Sequence, residues 1–216
     1  AGAIAAALRQ GGVDAGVMKP FASGAWDDTI FLQKASGVAE SRKEITPFYF
    51  KYPLAPYASL QLERRTFDAR GWVRWAAPIW KKHAFWVVEG IGGALVPITR
   101  NYDCLDAAKE CGLPVVIVSR LGLGTINHSL LTIRAARARG LRVVGLVLNT
   151  SSKPNRGLAE KTNPRVLGEL AGVPAVHVFP HCPPGVLKRP AELAERGRAL
   201  VRSFGLFSKN SVSPRV

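Results

Sequence analysis

The chain has 216 residues, and because 47% of them are hydrophobic, the composition excludes wholesale disorder and can supply a buried core. The 30 Lys and Arg residues outnumber the 15 Asp and Glu residues, and the formal net charge of +15 would attract anionic ligands. Three cysteines without a Cys-x-x-Cys pair argue against a disulfide framework or a zinc site. No apolar run has the length of a bilayer, so we expect a cytoplasmic protein.

Apolar runs alternate with amphipathic segments along the chain, which is typical of strands and helices that follow one another. The predicted helices lie at 3–10, 29–35, 68–82 (bent near Pro78), 105–111, 127–140, 164–171 and 191–204. The predicted strands lie at 14–19, 84–89, 115–119, 143–148 and 175–179, with a proline- and aromatic-rich connection at 47–56. Uniformly apolar strands predict a mostly parallel sheet with helices on both faces, a three-layer α/β fold. We expect one domain at 1–207 and a flexible tail at 208–216.

Polar residues follow the ends of the predicted strands. These residues are Lys19, Glu89, Ser119, Asn149 and His181. One polar residue at a strand end is usually a turn former. In open parallel sheets, however, ligands bind outside the carboxyl ends of the strands. Five such residues on one edge therefore favour a binding site.

Two short motifs carry the strongest chemical signal. Lys19 opens the motif KPFASG, and Glu89 opens the motif EGIGG. A lysine at a strand end can meet phosphate or carbamate oxygens, and a carboxylate can hold a divalent cation. Glycines after the carboxylate let the backbone approach a ligand, because no Cβ stands in the way. Placed side by side, the two motifs would form a site for nucleotide and metal.

Each motif also has a plainer interpretation. Lys19 could be an ordinary surface lysine, and Glu89 could be a helix-capping or salt-bridged carboxylate. Asp28 stands where acidic residues favour a helix N-terminus. The glycine-rich segment 122–128 runs into a predicted helix, where its N–H groups could bind an anion or be capped by Thr125 or Asn127.

The order of these motifs resembles the dethiobiotin synthetase family. The matching segments are KPFASG (19–24), PFYFKYPLAP (47–56), VEGIGG (88–93), GLGTINH (122–128) and GLVLN (145–149), together with Asp28. The agreement extends to about residue 204, and the motifs are specific as a set although each is weak alone. The resemblance implies a P-loop NTPase-like fold and the conversion of 7,8-diaminononanoate, CO₂ or bicarbonate, and ATP to dethiobiotin, with Mg²⁺.

The resemblance also implies roles for individual residues. Lys19 would be catalytic, contacting the carbamate and the γ-phosphate, and Ser23 would bind the diamine. Asp28 and Glu89 would bind Mg²⁺ and the nucleotide. The further nucleotide-binding residues would be Gly90, Gly92, Gly93, Asn149, Pro180, His181 and Cys182, the last four on the adenine side. The residues that bind the substrate carboxylate would be Gly122, Gly124, Thr125, Ile126 and Asn127, supplied by the partner subunit of a homodimer.

One family feature has no counterpart in this sequence, which contains no Gly-x-x-x-x-Gly-Lys-Thr phosphate loop. We expect either an N-terminally truncated chain or a degenerate paralogue that no longer turns over ATP. The strand before that loop would be central, so its two neighbours would keep unpaired backbone edges.

Other function classes remain open beside the biosynthetic enzyme. They are a catalytically inactive relative that acts as a binding protein, and a partitioning-type ATPase that binds nucleic acid or membrane. A cobyrinate-type amidotransferase is a weaker option. The basic residues form only loose clusters without an aromatic platform, so we expect no specific nucleic-acid partner and no membrane partner.

Overall fold

The computed structural model describes residues 1–69, 71–150 and 157–206, and helices and strands alternate along these ranges. The helices are α1 (Gly2–Gln10), α2 (Asp27–Ser36), α3 (Arg42–Ile45), α4 (Pro56–Glu63), α5 (Gly71–Trp80), α6 (Cys104–Cys111), α7 (Thr125–Ala138), α8 (Leu158–Leu170), α9 (Pro184–Leu187) and α10 (Pro190–Ser203). The strands are β1 (Ala15–Met18), β2 (Phe21–Ser23), β3 (Phe48–Phe50), β4 (Phe85–Val88), β5 (Pro97–Thr99), β6 (Tyr102–Asp103), β7 (Val115–Arg120), β8 (Val143–Asn149) and β9 (Val176–Val178).

Most of the strand pairing is parallel. Strand β1 pairs with β4, and β7, β8 and β9 form a second parallel sheet in that order. Two further ladders are the parallel pair of β2 with β3 and the antiparallel pair of β5 with β6. The register sets Met18 opposite Val88, so Lys19 and Glu89 leave their strands at the same edge.

Strand β8 shows how helices cover both faces of the parallel sheet. Leu146 and Leu148 belong to the core that includes Ile133 of α7. Val147 points to the opposite face, because side chains alternate along a strand, and it packs with Leu200 of α10. The expected three-layer α/β arrangement is confirmed.

Several short elements were missed by the sequence prediction. The predicted connection at 47–56 contains β3 and the first residue of α4, and β2, β5 and β6 were not predicted. Strands of two or three residues are too short to show an alternating pattern. Helix α8 begins at Leu158, so the prediction that it starts at Pro164 is wrong. Pro78 lies inside α5, as expected.

The unpaired strand edges in the described part of the chain include one edge of β4 and one edge of β7. Strand β4 pairs there only with β1, and β7 pairs only with β8. Val118 of β7 is 62% exposed, although its strand is apolar. The predicted missing central strand and the single domain stay predictions, and the predicted tail at 208–216 lies outside the described residues. No helix within the described ranges is both long and apolar enough to span a bilayer.

Candidate active site

A buried ammonium group lies at the carboxyl edge of β1 and β4. The Lys19 side chain is 5% exposed, and its Nζ donates to Glu89 Oε1 and to the Gly90 carbonyl, both at 3.0 Å. Its Nζ also lies 3.1 Å from Asp28 Oδ2. A buried charge is costly unless it is paired and hydrogen-bonded, and these three oxygens meet that requirement.

The backbone explains why these side chains meet. The Glu89 amide donates to the Met18 carbonyl at 2.8 Å, which continues the parallel ladder of β1 and β4. The Lys19 amide donates to the Ile45 carbonyl at 2.8 Å. Asp28 lies in the first turn of α2, so it is both an acidic residue at a helix N-terminus and a partner of Lys19. The interpretation of Lys19 as a free surface lysine is therefore wrong.

The two carboxylates remain within reach of a ligand. The Glu89 side chain is 32% exposed and that of Asp28 is 65% exposed. Mg²⁺ prefers oxygen ligands and usually takes only one or two carboxylates from a protein. The pair therefore fits Mg²⁺ chemically, although no group of three or more His, Cys, Asp or Glu side chains suited to a metal occurs in the described ranges.

The loop after Glu89 presents open backbone. A Cβ added at Gly90 or Gly93 would meet nothing within 4 Å. Gly92 has φ +61°, a conformation that favours glycine. The thiol of Cys104, the first residue of α6, donates to the Ile91 carbonyl at 3.1 Å and so anchors the loop after Glu89 to that helix. Burial raises the pKa of this thiol, so Cys104 is a structural donor and not a nucleophile.

Ser23 ends β2, four residues after Lys19. Its Oγ is buried and has no hydrogen-bond partner within the described structure. Buried hydroxyls normally find a partner, so an orphaned one beside a candidate site is a place for a ligand atom.

The predicted adenine-side residues lie at the carboxyl edge of β8 and β9. The Phe179 amide donates to the Leu148 carbonyl at 2.9 Å, so the loop of residues 180–182 starts beside Asn149. The Asn149 residue is exposed. His181 Nδ1 is buried and lacks a partner among the described residues. The Cys182 thiol donates to the Pro180 carbonyl at 3.6 Å, which closes the loop on itself.

The glycine-rich segment before α7 has no side-chain cap. Gly124 is the N-cap residue with φ +88°, so the alternative in which Thr125 or Asn127 caps the helix is wrong. Thr125 is buried, and its Oγ1 lies 3.3 Å from Ser129 Oγ. Ile126 is half-buried, whereas Asn127 is exposed. A helix N-terminus without a side-chain cap suits an anion.

Asn163 is a residue that the sequence did not reveal. It is buried on α8, and its Nδ2 donates to the carbonyls of Leu121 and Gly122 at 2.9 and 3.1 Å. Asn163 therefore positions the segment before α7 from a distance of about 40 residues in the chain. Nothing in the pattern around Asn163 distinguishes it from an ordinary helix residue.

A mostly parallel sheet with helices on both faces, and a lysine and two carboxylates at its carboxyl edge, defines a nucleotide-binding α/β protein of the P-loop NTPase type. A family model described as AAA domain matches residues 1–178.

Curated relatives narrow this class. A relative from Bacillus licheniformis named ATP-dependent dethiobiotin synthetase BioD is 43% identical over 183 residues, covering 82% of this chain and 77% of the relative. A relative of the same name from Bacillus subtilis strain 168 is 39% identical, covering 82% of this chain and 78% of the relative. Another from Anaeromyxobacter sp. strain K is 38% identical, covering 94% of this chain and 89% of the relative. The chain belongs to the dethiobiotin synthetase family, a family of ATP-dependent ligases.

Proposed function

We propose that this protein converts 7,8-diaminononanoate, CO₂ and ATP to dethiobiotin, ADP and phosphate, with Mg²⁺ as cofactor. The observation that carries the proposal is the convergence of Lys19 with the carboxylates of Asp28 and Glu89 at one sheet edge. Family membership supports the reaction type, since the relatives are named for it.

The reaction requires positioning and charge stabilisation and no protein nucleophile. One substrate amine adds to CO₂ and loses a proton, giving a carbamate. A carbamate oxygen attacks the γ-phosphorus of ATP, and ADP leaves. The second amine then attacks the carbamoyl carbon, loses a proton and expels phosphate, which closes the ureido ring.

Lys19 is the proposed catalytic residue. Its ammonium is held by three oxygens at 3.0–3.1 Å, so its position is set before the ligand arrives. It would contact the carbamate and the γ-phosphate and stabilise the negative charge that develops on them. Asp28 and Glu89 would hold Mg²⁺, which supplies additional neutralisation of the phosphates when bound.

The substrate would be held at both ends. The unpartnered Ser23 hydroxyl would accept a hydrogen bond from a substrate amine. The uncapped N-terminus of α7, from Gly122 to Asn127, would bind the substrate carboxylate of the partner subunit's site in a homodimer. Leu123 (90% exposed) and Leu131 (55% exposed) add apolar surface in this part of the chain.

The nucleotide would extend from the carboxyl edge of β1 and β4 towards that of β8 and β9. The open backbone at Gly90 and Gly93, together with Gly92 between them, would lie near the phosphates. Asn149 and the loop at 180–182 would contact the adenine, since an amide side chain can donate and accept at once. In the described part of the chain, β4 pairs only with β1 and β7 only with β8, so each keeps an edge at which a further strand could pair.

Such a biosynthetic reaction would take place in the cytoplasm. The three cysteines are all free thiols, which fits a reducing compartment.

A phosphate-release assay with diaminononanoate, bicarbonate and MgATP tests the proposal. It is run on the 216-residue chain and on a version extended at its N-terminus by a strand and phosphate loop of the family. We expect diamine-dependent phosphate release from the extended version only. Equal activity of both would overturn the account of the missing loop, and no release from either would favour a catalytically inactive relative.

A further inference from the structure

Arg139, the C-cap residue of α7, joins the end of that helix to the start of α6. Its guanidinium binds the Asp103 carboxylate in bidentate fashion, with Nη1–Oδ1 at 2.8 Å and Nη2–Oδ2 at 2.9 Å. Its Nη1 also donates to Asp106 Oδ1 at 3.1 Å. The side chain of Asp103 is 15% exposed, so solvent screens the bidentate pair only in part. A bidentate pair fixes orientation as well as distance.

The two carboxylates that Arg139 binds form the capping box of α6. Asp103 is the N-cap residue, and its Oδ1 accepts hydrogen bonds from the Leu105 and Asp106 amides at 2.8 and 3.1 Å. Asp106 Oδ2 accepts from the Asp103 amide at 2.9 Å. The capping box satisfies the first amides of the helix, and Arg139 ties that same box to the end of α7. The start of α6 is therefore held in one orientation.

The start of α6 in turn braces the glycine loop, which comprises residues 90–96. The Cys104 thiol donates to the Ile91 carbonyl at 3.1 Å. The Cys104 amide donates to the Val96 carbonyl at 3.2 Å, near the other end of the loop. Cys104 directly follows the N-cap residue of α6, so the loop takes its position from the place where that cap is held.

The glycine loop reaches the candidate catalytic group. The Gly90 carbonyl, next to Ile91, accepts from Lys19 Nζ at 3.0 Å. An unbroken series of contacts therefore leads from the Arg139 guanidinium to the Lys19 ammonium. Groups that act on a substrate need supporting contacts that hold them in place. A misplacement of about 1 Å can cost about a hundredfold in rate.

We infer that Arg139 is a positioning residue for the ATP-dependent reaction. Through the start of α6 it holds the glycine loop in the shape that places Lys19 and the open backbone against the nucleotide phosphates. This assignment rests on the proposed function and extends it to a residue that does not touch the substrate. Without Arg139, the carboxylates of Asp103 and Asp106 would lose the cation between them, and their repulsion would loosen the start of α6.

The first test measures kcat and both KM values on the N-terminally extended protein. Arg139→Ala is expected to lower kcat/KM for ATP about tenfold, with a higher KM for ATP and an unchanged KM for the diamine. Cys104→Ala removes the thiol donor and should act in the same direction. Cys104→Ser keeps a donor and should stay within about threefold of the unaltered protein. Arg137→Ala removes another arginine of α7, which donates to the Gly172 carbonyl, and is the matched control with no change expected.

The second test needs no turnover and uses the 216-residue chain. Hydrogen–deuterium exchange reports the amides that join the glycine loop to itself and to the start of α6. They are the amides of Val96, Cys104 and Leu105, which donate to loop carbonyls at 3.1–3.2 Å. Arg139→Ala is expected to make them exchange about tenfold faster, because the hydrogen bonds that it removes are to charged groups. Arg137→Ala should leave their exchange unchanged.

Each outcome supports or overturns the assignment. Equal exchange in the two arginine variants would overturn it, and so would faster exchange with unchanged ATP kinetics, which is the result of a purely structural brace. A lower kcat with both KM values unchanged is what a smaller folded fraction gives, and it would count against a positioning role. A higher KM for the diamine alone would assign Arg139 to α7 instead. If the unaltered extended protein releases no phosphate, the proposed function is wrong, and the exchange rates still decide whether Arg139 holds the loop.

Discussion

Replacing Gly197 by alanine tests the close approach of helices α1 and α10. Gly197 is buried on α10, where a Cβ would lie 1.9 Å from the Ala3 carbonyl oxygen of α1 and 3.1 Å from Ala7 Cβ. Contacts under 3.0 Å are essentially never seen for a real Cβ, and the obstructing atom is backbone that cannot rotate away. The two helices would therefore have to separate by about 1 Å.

Two effects of opposite sign compete at this position. Alanine is favoured over glycine in a helix by about 1 kcal/mol. Overpacking a well-packed interior costs about 1–3 kcal/mol, and a backbone clash belongs at the upper end of that range. We therefore expect Gly197→Ala to lower the free energy of unfolding by about 2 kcal/mol, which corresponds to a fall in Tm of about 4–8 °C for a chain of this size.

Urea unfolding followed by far-ultraviolet circular dichroism measures this difference. Gly168→Ala is the matched control, because Gly168 is an exposed residue of α8 whose added Cβ would meet nothing within 4 Å. Only the helix-propensity effect acts there, so the control is expected to gain about 0.5–1 kcal/mol. If Gly197→Ala also became more stable, the close approach of α1 and α10 would be refuted.

Three further results are expected. Glu89→Gln should abolish Mg²⁺-dependent turnover of the extended protein and leave its circular dichroism spectrum unchanged. Glu169→Gln, at an exposed residue of α8, should retain turnover. Retained turnover in Glu89→Gln would remove Glu89 from the metal site. Asn163→Leu removes the side-chain donor of the buried Leu121 carbonyl and one of the two donors to the partly buried Gly122 carbonyl, which keeps the Thr125 amide. The free energy of unfolding should therefore fall by about 1–3 kcal/mol in urea titrations, and an unchanged value would contradict the anchoring role. The hydrogen bond from His83 lowers the pKa of the Asp14 carboxyl below its usual 3.8, so the ionised carboxylate stabilises the fold above pH 3.8, and this stabilisation is lost as the pH falls through the lower, folded-state pKa. In urea midpoints measured between pH 2 and 5, His83→Leu should weaken this dependence on pH. Parallel curves for the variant and the unaltered protein would argue against the interaction.

The amino-acid sequence by itself determined the main strands and the edge where the candidate site lies. The apolar runs before Lys19 and Glu89 end in a charged residue, and parallel strands bring such ends to one edge of a sheet. Local patterning is sufficient for these features, because each of these strands is a continuous apolar run that ends at a polar residue. The family resemblance further pointed to Asp28 as the second carboxylate, and the structure brings it to Lys19.

Only the tertiary structure decided the contacts that join distant segments. No sequence pattern within one segment predicts that Trp26 stacks on Tyr49 or that Asn163 donates to the backbone of residues 121–122. The three-residue strand β3 has too few positions to show alternation, and it forms because β2 lies next to it as a ladder partner. Such contacts depend on how elements pack against one another, and packing geometry is set by the assembled core and not by the sequence of one segment.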